Sequence, residues 1–368
     1  MSEYQRYEFM TCERPLTQTQ LAAVNALSSH IEATSTHALI EYHWGDFKHN
    51  PIDVLHKFFD GFLYWANWGA PQLALRFPHG ILPADLLAGY DLDDLATFTQ
   101  HADYDILDVH FGELEGPDEW IEYELGSLIG LRDELLEGDT RALYVIWLAS
   151  RKLLGSYDEE EEYEISVPPV PPGFGALTEA QRALAELLQV PDELLAATGR
   201  HSTGAKPRAA TDLAPLVMEL PPERRDAYVI RLARNEPGLS HQLARELREL
   251  RADTTSATPP PGEHVAYATL LAESQAIKAH RERERQERER LAHEQHLRDI
   301  HEHQDTYWRQ VEQAVERSSG AGYDEAASLL IELRGVADHY QEGERFQARF
   351  LAWVQSHMRR PAFVKRLR

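Results

Sequence analysis

Ten consecutive residues, Arg281-Glu282-Arg283-Glu284-Arg285-Gln286-Glu287-Arg288-Glu289-Arg290, contain no apolar side chain. They sit inside a stretch from Glu263 to Ser318 that holds neither proline nor glycine and is dominated by helix formers. The pattern predicts one long helix with a break near His301 to Asp305. At 1.5 Å per residue the charged run spans ~15 Å of helix exposed on every side. It lacks the apolar seam of a coiled coil, and i,i+4 Glu/Arg pairs worth ~0.2–0.5 kcal/mol each support it as a solvated single helix. Such a helix serves spacing or reach.

With 368 residues, the chain exceeds the size at which one core stops growing, so two or three folding units are expected. The prediction is an acidic α+β domain over residues 1–165, a proline-linked module of short helices over 166–252, and the long charged helix with a C-terminal helical hairpin over 263–368. The fold class is thus α+β at the N-terminus, a small mixed sheet with packed helices, followed by all-α, helical-repeat-like segments; the chain is mainly α.

Within the first module, Tyr7-Glu8-Phe9-Met10, the run from Ala38 to Phe47, Leu73 to Phe77, and Tyr104 to Phe111 alternate as strands do. A helix is expected after Pro15-Leu16-Thr17. Another is expected from Asn50 and Pro51 through Phe58, Phe59, Phe62 and Trp65 to Gly69. The segment Arg141 to Leu154 is apolar around most of its circumference and reads as a buried helix. An acidic run, Asp158 to Glu162, and Val167-Pro168-Pro169-Val170-Pro171-Pro172-Gly173 then break the pattern, and the prolines favour an extended spacer. Short helices are expected at 178–188, 191–197, 213–218, 222–234 and 240–250. At the C-terminus Tyr323, Ala326, Leu330, Leu333, Ala337 and Tyr340 share one stripe. Phe346, Phe350, Trp353 and Val354 share the next, with Trp308, Val311 and Val315 of the preceding helix beside them.

Charge is unevenly placed. Of a net −24, residues 1–165 supply 31 Asp/Glu against 9 Lys/Arg. A surface of that sign repels phosphate backbones and attracts basic proteins, so direct nucleic-acid binding by this part is not expected. No apolar run approaches the ~18 residues of a membrane span, and the first residues carry neither a secretory nor a transit pattern. A cytoplasmic location and no membrane contact are the expectation. One cysteine, Cys12, allows no internal disulfide and no thiolate zinc site; it reads as a buried, inert thiol.

Some segments carry a likeness. Tyr323-Asp324-Glu325-Ala326-Ala327 through Leu330 and Leu333-Arg334, then Phe346, Phe350, Arg359-Arg360-Pro361-Ala362-Phe363 and Arg366-Leu367, resemble the helical C-terminal unit of bacterial SWIM-type zinc-finger proteins. Leu220 to Arg234 resembles another part of the same arrays. The zinc motif of that family needs several cysteines and is absent. The opening, with Tyr7-Glu8-Phe9, Arg14-Pro15-Leu16-Thr17, Tyr42 to Phe47 and Phe58 to Gly69, is similar to the start of a group of uncharacterised bacterial proteins. The likeness implies an interaction role and no particular activity.

Two classes of site compete. Glu41 and His43 alternate onto one strand face, Asp108 and His110 onto another; if those strands pair, the four groups form a metal site or acid/base pair with His43 and His110 as ligands. The bland alternative is exposed strand faces in an acidic chain rich in histidine. Tyr42 to Phe47 either lines a pocket for a planar group or packs in a core. His293, His296, His301 and His303 read as helix surface. There is no phosphate loop, Rossmann glycine fingerprint or nucleophile elbow.

The leading expectation is a non-enzymatic interaction or scaffold component of a bacterial multi-protein system. Its partners are other proteins, basic ones among them, and it needs no cofactor. Trp308, Tyr323, Leu330, Phe346, Phe350 and Trp353 are the expected contact residues. The alternatives are the metal-dependent enzyme just described and an acidic decoy that imitates nucleic acid.

Overall fold

Strands joined by a short connection pair antiparallel, because a parallel pair needs a crossover of a dozen residues or more. In the computed structural model of the chain, seven strands form one sheet, in which three neighbouring pairs are joined in this way. They are β1 (Gln5–Met10), β2 (Ile31–Ala33), β3 (His37–Tyr42), β4 (Gly61–Ala66), β5 (Gly69–Pro78), β6 (Ala96–Gln100) and β7 (Tyr104–His110). Their spatial order is β2-β3-β1-β4-β5-β7-β6. The structure describes residues 4–90, 92, 95–110, 123–154, 167–204, 214–234, 239, 242–244, 246–247 and 262–357. The acidic run 158–162 and most of the linker 251–262 lie outside the described residues.

The α+β character expected of the N-terminal part is present, with two differences in detail. Every described pairing is antiparallel rather than mixed, and helices cover both faces. On one face α1 (Gln18–Asn25) and α2 (Pro51–Phe58) pack over Tyr7, Phe9, Ala38, Ile40, Phe62, Ala74 and Ile106. Thr17 and Gln20 form a capping box at the start of α1, and Asn50 caps α2 with Pro51 in its first turn, as such residues do. On the other face Leu63, Trp65, Leu73, Leu75, Leu107 and Val109 meet α3 (Leu125–Leu128), α4 (Gly130–Leu136), α5 (Arg141–Leu154), α6 (Glu179–Leu187) and α7 (Asp192–Arg200).

The helix expected through Trp68 stops at Phe58. Phe59 is extended (φ −127°, ψ 170°), and the apolar run that follows becomes β4. A strand covered on both faces is apolar at consecutive positions and cannot be told from a buried helix by period.

The chain divides into two units, Met1–Ile277 and Lys278–Arg368, so the boundary does not fall at the proline-rich segment. Val170 and Phe174 are buried in the same core as the sheet. The prolines are stitched down: the Val170 amide donates to Glu263 O (3.1 Å), the Gly262 amide to Val170 O (3.0 Å), and the Gly173 amide to Thr203 O (2.9 Å). His201 links the same place, with Nδ1 2.9 Å from Glu263 and Nε2 3.1 Å from Glu273. Apolar burial of Val170 and Phe174 outweighs the stiffness that makes prolines a spacer elsewhere. The first unit also holds a 3-10 helix (Ala214–Glu219) and α8 (Pro222–Ala233).

A long helix, α9 (Tyr267–Glu302), carries the charged run, and the expected break falls at His303. The second unit adds α10 (Gln304–Glu316), α11 (Gly320–His339) and α12 (Gly343–His357). Its core joins Leu297 and Ile300 to Trp308, Val311, Val315, Ala326, Leu330, Leu333 and Val336. Among the described residues no helix is long and apolar enough to cross a membrane.

Candidate functional site

Residues paired across strands project to the same face, so the register places each predicted ligand. Glu41 is opposite Arg6, which is opposite Trp65; Glu41 therefore lies on the face covered by α3–α7. Asp108 is opposite Ala74, which is opposite Phe62, on the face covered by α1 and α2. Between β3 and β7 stand β1, β4 and β5, roughly 19 Å at the usual strand spacing. The four candidates thus point to opposite faces and do not form one site. The same register and separation keep His43 and His110 from sharing a metal ion, and among the described residues no group of three or more His, Cys, Asp or Glu is placed to hold one.

Each half does form local contacts. The Tyr4 hydroxyl donates to Glu41, and exposed His43 lies beside it with ring centroids 5.4 Å apart. On the other face the Gln72 amide donates to both carboxylate oxygens of Asp108 (2.9 and 3.0 Å), and Gln72 pairs with His110. Burial raises the Asp108 carboxyl above its ordinary value, against the pull of Gln72 and His110. In the same row the Tyr7 hydroxyl donates to Gln5 Oε1 (2.8 Å), as does Tyr64 (3.2 Å). The aromatic run is divided: Trp44 is exposed and Phe47 is buried against Tyr7.

Three buried carboxylates that periodicity alone does not single out fasten this unit. Glu8 accepts from the Leu125 amide (2.9 Å) and lies 2.8 Å from His37 Nε2. Asp60 accepts from the Cys12 and Glu13 amides (2.7 and 3.1 Å) and Arg76 Nη2 (2.7 Å). Fully buried Asp105 accepts from the Gly80 amide (3.0 Å) beside His79 Nδ1 (2.9 Å). Burial opposes charge on Asp60, but the Arg76 guanidinium outweighs it and holds the carboxyl below its ordinary value. Cys12 is exposed where a buried thiol is expected; protein atoms around the sulfur nonetheless push its pKa up to about 11, against Arg132, so it stays protonated at neutral pH.

A cavity of about 10 Å³ between the sheet and α4–α6, lined by Leu73, Leu107, Leu131, Leu143 and Leu184, has room for one water and no polar partner for it.

The predicted contact residues of the second unit turn inward. Trp308 is only 6% exposed and Leu330 is buried. Trp308 meets Phe346 (5.9 Å) and Trp353 (6.0 Å), Phe346 stacks on Phe350 (5.8 Å), and Tyr323 packs against the same core. Four amphipathic faces cover one another, with Trp308 and Leu330 buried and Tyr323, Phe346, Phe350 and Trp353 half-buried. The predicted surface histidines pair with carboxylates: His296 with Glu332 (3.5 Å), His301 with Glu342 (3.4 Å), and His303 with Asp299 (3.1 Å).

Among the exposed apolar side chains, several gather on and beside α8. One side is fixed: the Tyr228 hydroxyl donates to Glu246 (2.6 Å), Arg224 donates to both oxygens of the same carboxylate (2.9 and 2.7 Å), and Arg231 donates to Gln242. Those Arg224 and Tyr228 bonds hold Glu246 below its ordinary value. On the same helix Val229 is 64% and Leu232 67% exposed, with Ile230 also out, and Met218 of the preceding 3-10 helix is 73% exposed. Arg225 Nη1 lies 3.5 Å from the Met218 sulfur. A signal is present in the residues themselves: consecutive Tyr228-Val229-Ile230 with Leu232 make too wide an apolar arc for one neighbouring helix.

No family model matches this chain, and no curated protein or solved structure matches it.

Proposed function

We propose that this chain acts without catalysis, as a protein–protein interaction or scaffold component of a bacterial multi-protein system in the cytoplasm, with α8 as a docking face. One observation carries the reading: Val229, Ile230 and Leu232 of α8 stand in solvent while Arg224 and Tyr228 of the same helix are fixed to Glu246, and Met218 of the preceding 3-10 helix is exposed as well. Grouped exposed apolar side chains of this size mark contact surfaces, because leaving them in water forgoes ~25 cal/mol per Å². A helix presented in this way pairs with another amphipathic helix or groove. The likeness of Leu220 to Arg234 and of the C-terminal helices to parts of SWIM-type proteins points the same way. The acidity of residues 1–165 adds a preference for basic partners.

The test is a tagged full-length chain isolated from its native cell, beside Val229→Asp/Leu232→Asp. Both side chains are already solvated, so the double variant keeps its fold. The wild type brings down a stoichiometric partner and the variant does not. A lone, stable monomer in both cases would refute the proposal.

A further inference from the structure

A sheet that is not closed on itself has two edges, and proteins protect edges with charge, proline, bulges or brevity. Here β2 is a three-residue edge with Glu32 at its centre. The other edge, β6, is Ala96-Thr97-Phe98-Thr99-Gln100, five residues without charge or proline, in regular register with β7. Thr97, Thr99 and Gln100 are exposed. The backbone groups of a strand alternate between its two sides. Among the described residues those of β6 bond only toward β7. Threonine and phenylalanine are also residues that a pleated, half-covered surface accepts.

Charge decides what fits there. Residues 1–165 carry 31 Asp/Glu against 9 Lys/Arg, so the field around this part of the chain draws basic segments toward it. At the edge itself exposed Asp103 stands in the turn between β6 and β7, while Asp105 and Asp108 of β7 are committed to His79, Gly80 and Gln72. A second copy of the chain would bring the same negative charge to the edge and be repelled, whereas a lysine- or arginine-bearing strand is attracted.

We propose that the open edge of β6 takes an extended, basic segment of another protein as an added antiparallel strand. Main-chain hydrogen bonds to β6 supply the register, and the acidic surroundings select basic side chains on the incoming strand. This deepens the interaction reading at a surface other than α8.

The probe is a fluorescein-labelled octapeptide alternating lysine and valine, titrated into the full-length chain and followed by anisotropy. It binds saturably, weakens with added salt, and a glutamate–valine peptide does not compete. N-methylation of the amides along one edge of the peptide abolishes binding, while methylation along the other edge leaves it intact. Thr97→Lys/Thr99→Lys weakens binding roughly tenfold or more, with circular dichroism confirming its fold; should it misfold, the methylated peptides decide the matter on the unaltered protein. Absence of saturable binding, or equal binding of both methylated peptides, overturns the proposal. So does a dimer of the free chain that Thr97→Lys/Thr99→Lys dissolves, which would make a second copy the occupant. Val229→Asp/Leu232→Asp leaves the peptide affinity unchanged, so loss of the α8 reading and loss of this one are separately visible.

Discussion

Replacing Asp60 by alanine removes the acceptor shared by the Cys12 amide, the Glu13 amide and Arg76 Nη2. Asp60 is almost fully buried and the Arg76 side chain is 22% exposed. Breaking a buried ion pair by removing one partner costs ~3–5 kcal/mol. Water reaching the Arg76 side relieves part of that, and its second donor stays on His56 O at 2.8 Å, so about 2–4 kcal/mol is expected. Asparagine keeps one acceptor and loses the charge, for about 1–2 kcal/mol. Urea unfolding of the full chain, followed by tryptophan fluorescence, reads both. The pH dependence supplies a second arm. The Asp60 carboxyl is held below its ordinary value in the fold, so its contribution is complete above about pH 4 and is lost as pH falls through the lowered folded value. Asp60→Asn should flatten that acid limb. A change under ~0.5 kcal/mol for Asp60→Ala, or an unaltered acid limb for Asp60→Asn, would refute the assignment of Asp60 as the anchor of the β1–β4 region.

Two further outcomes follow from particular contacts. Proton NMR titration should place His56 and His201 on opposite sides of the ordinary imidazole value: burial and neighbouring His101 lower His56, while bonds to Glu263 and Glu273 raise His201. The His56 contribution to stability is present above the ordinary value and lost as pH falls through its lowered one. That of His201 is present below the ordinary value and lost as pH rises through its raised one. Coincident titrations would contradict both environments. Trp308→Ala should destabilise the second unit by about 3–5 kcal/mol in thermal unfolding, as loss of a buried indole does; an unmoved midpoint would mean that Trp308 is not part of that core.

Much of the backbone was legible because capping and period are local. Asn50-Pro51, the box at Thr17 and Gln20, and the apolar circumference of Arg141 to Leu154 mark their helices directly. β4 was hidden by being covered twice, and β6 by its brevity and the lack of large aliphatics in Ala96-Thr97-Phe98-Thr99-Gln100. The candidate site failed for a different reason. Alternation assigns Glu41 and Asp108 to the polar side of their own strands, but which side becomes which face of the sheet depends on pairing partners far away in sequence. Trp308 and Phe346 show the same limit: an apolar stripe announces that it will be covered and does not say by what.

The stitch that joins Val170, His201 and Gly173 to Gly262, Glu263 and Thr203 makes the segment between residues 204 and 262 an excursion that departs from and returns to one spot. Topologically it behaves as an insertion in a host that is already closed around it. Such a loop is free to lengthen, shorten or be exchanged for a different binding element without disturbing the strand order, because the closure entropy of the ends grows only slowly with the length between them. The α8 face can therefore change in sequence and length while the sheet and the helices packed on it stay as they are.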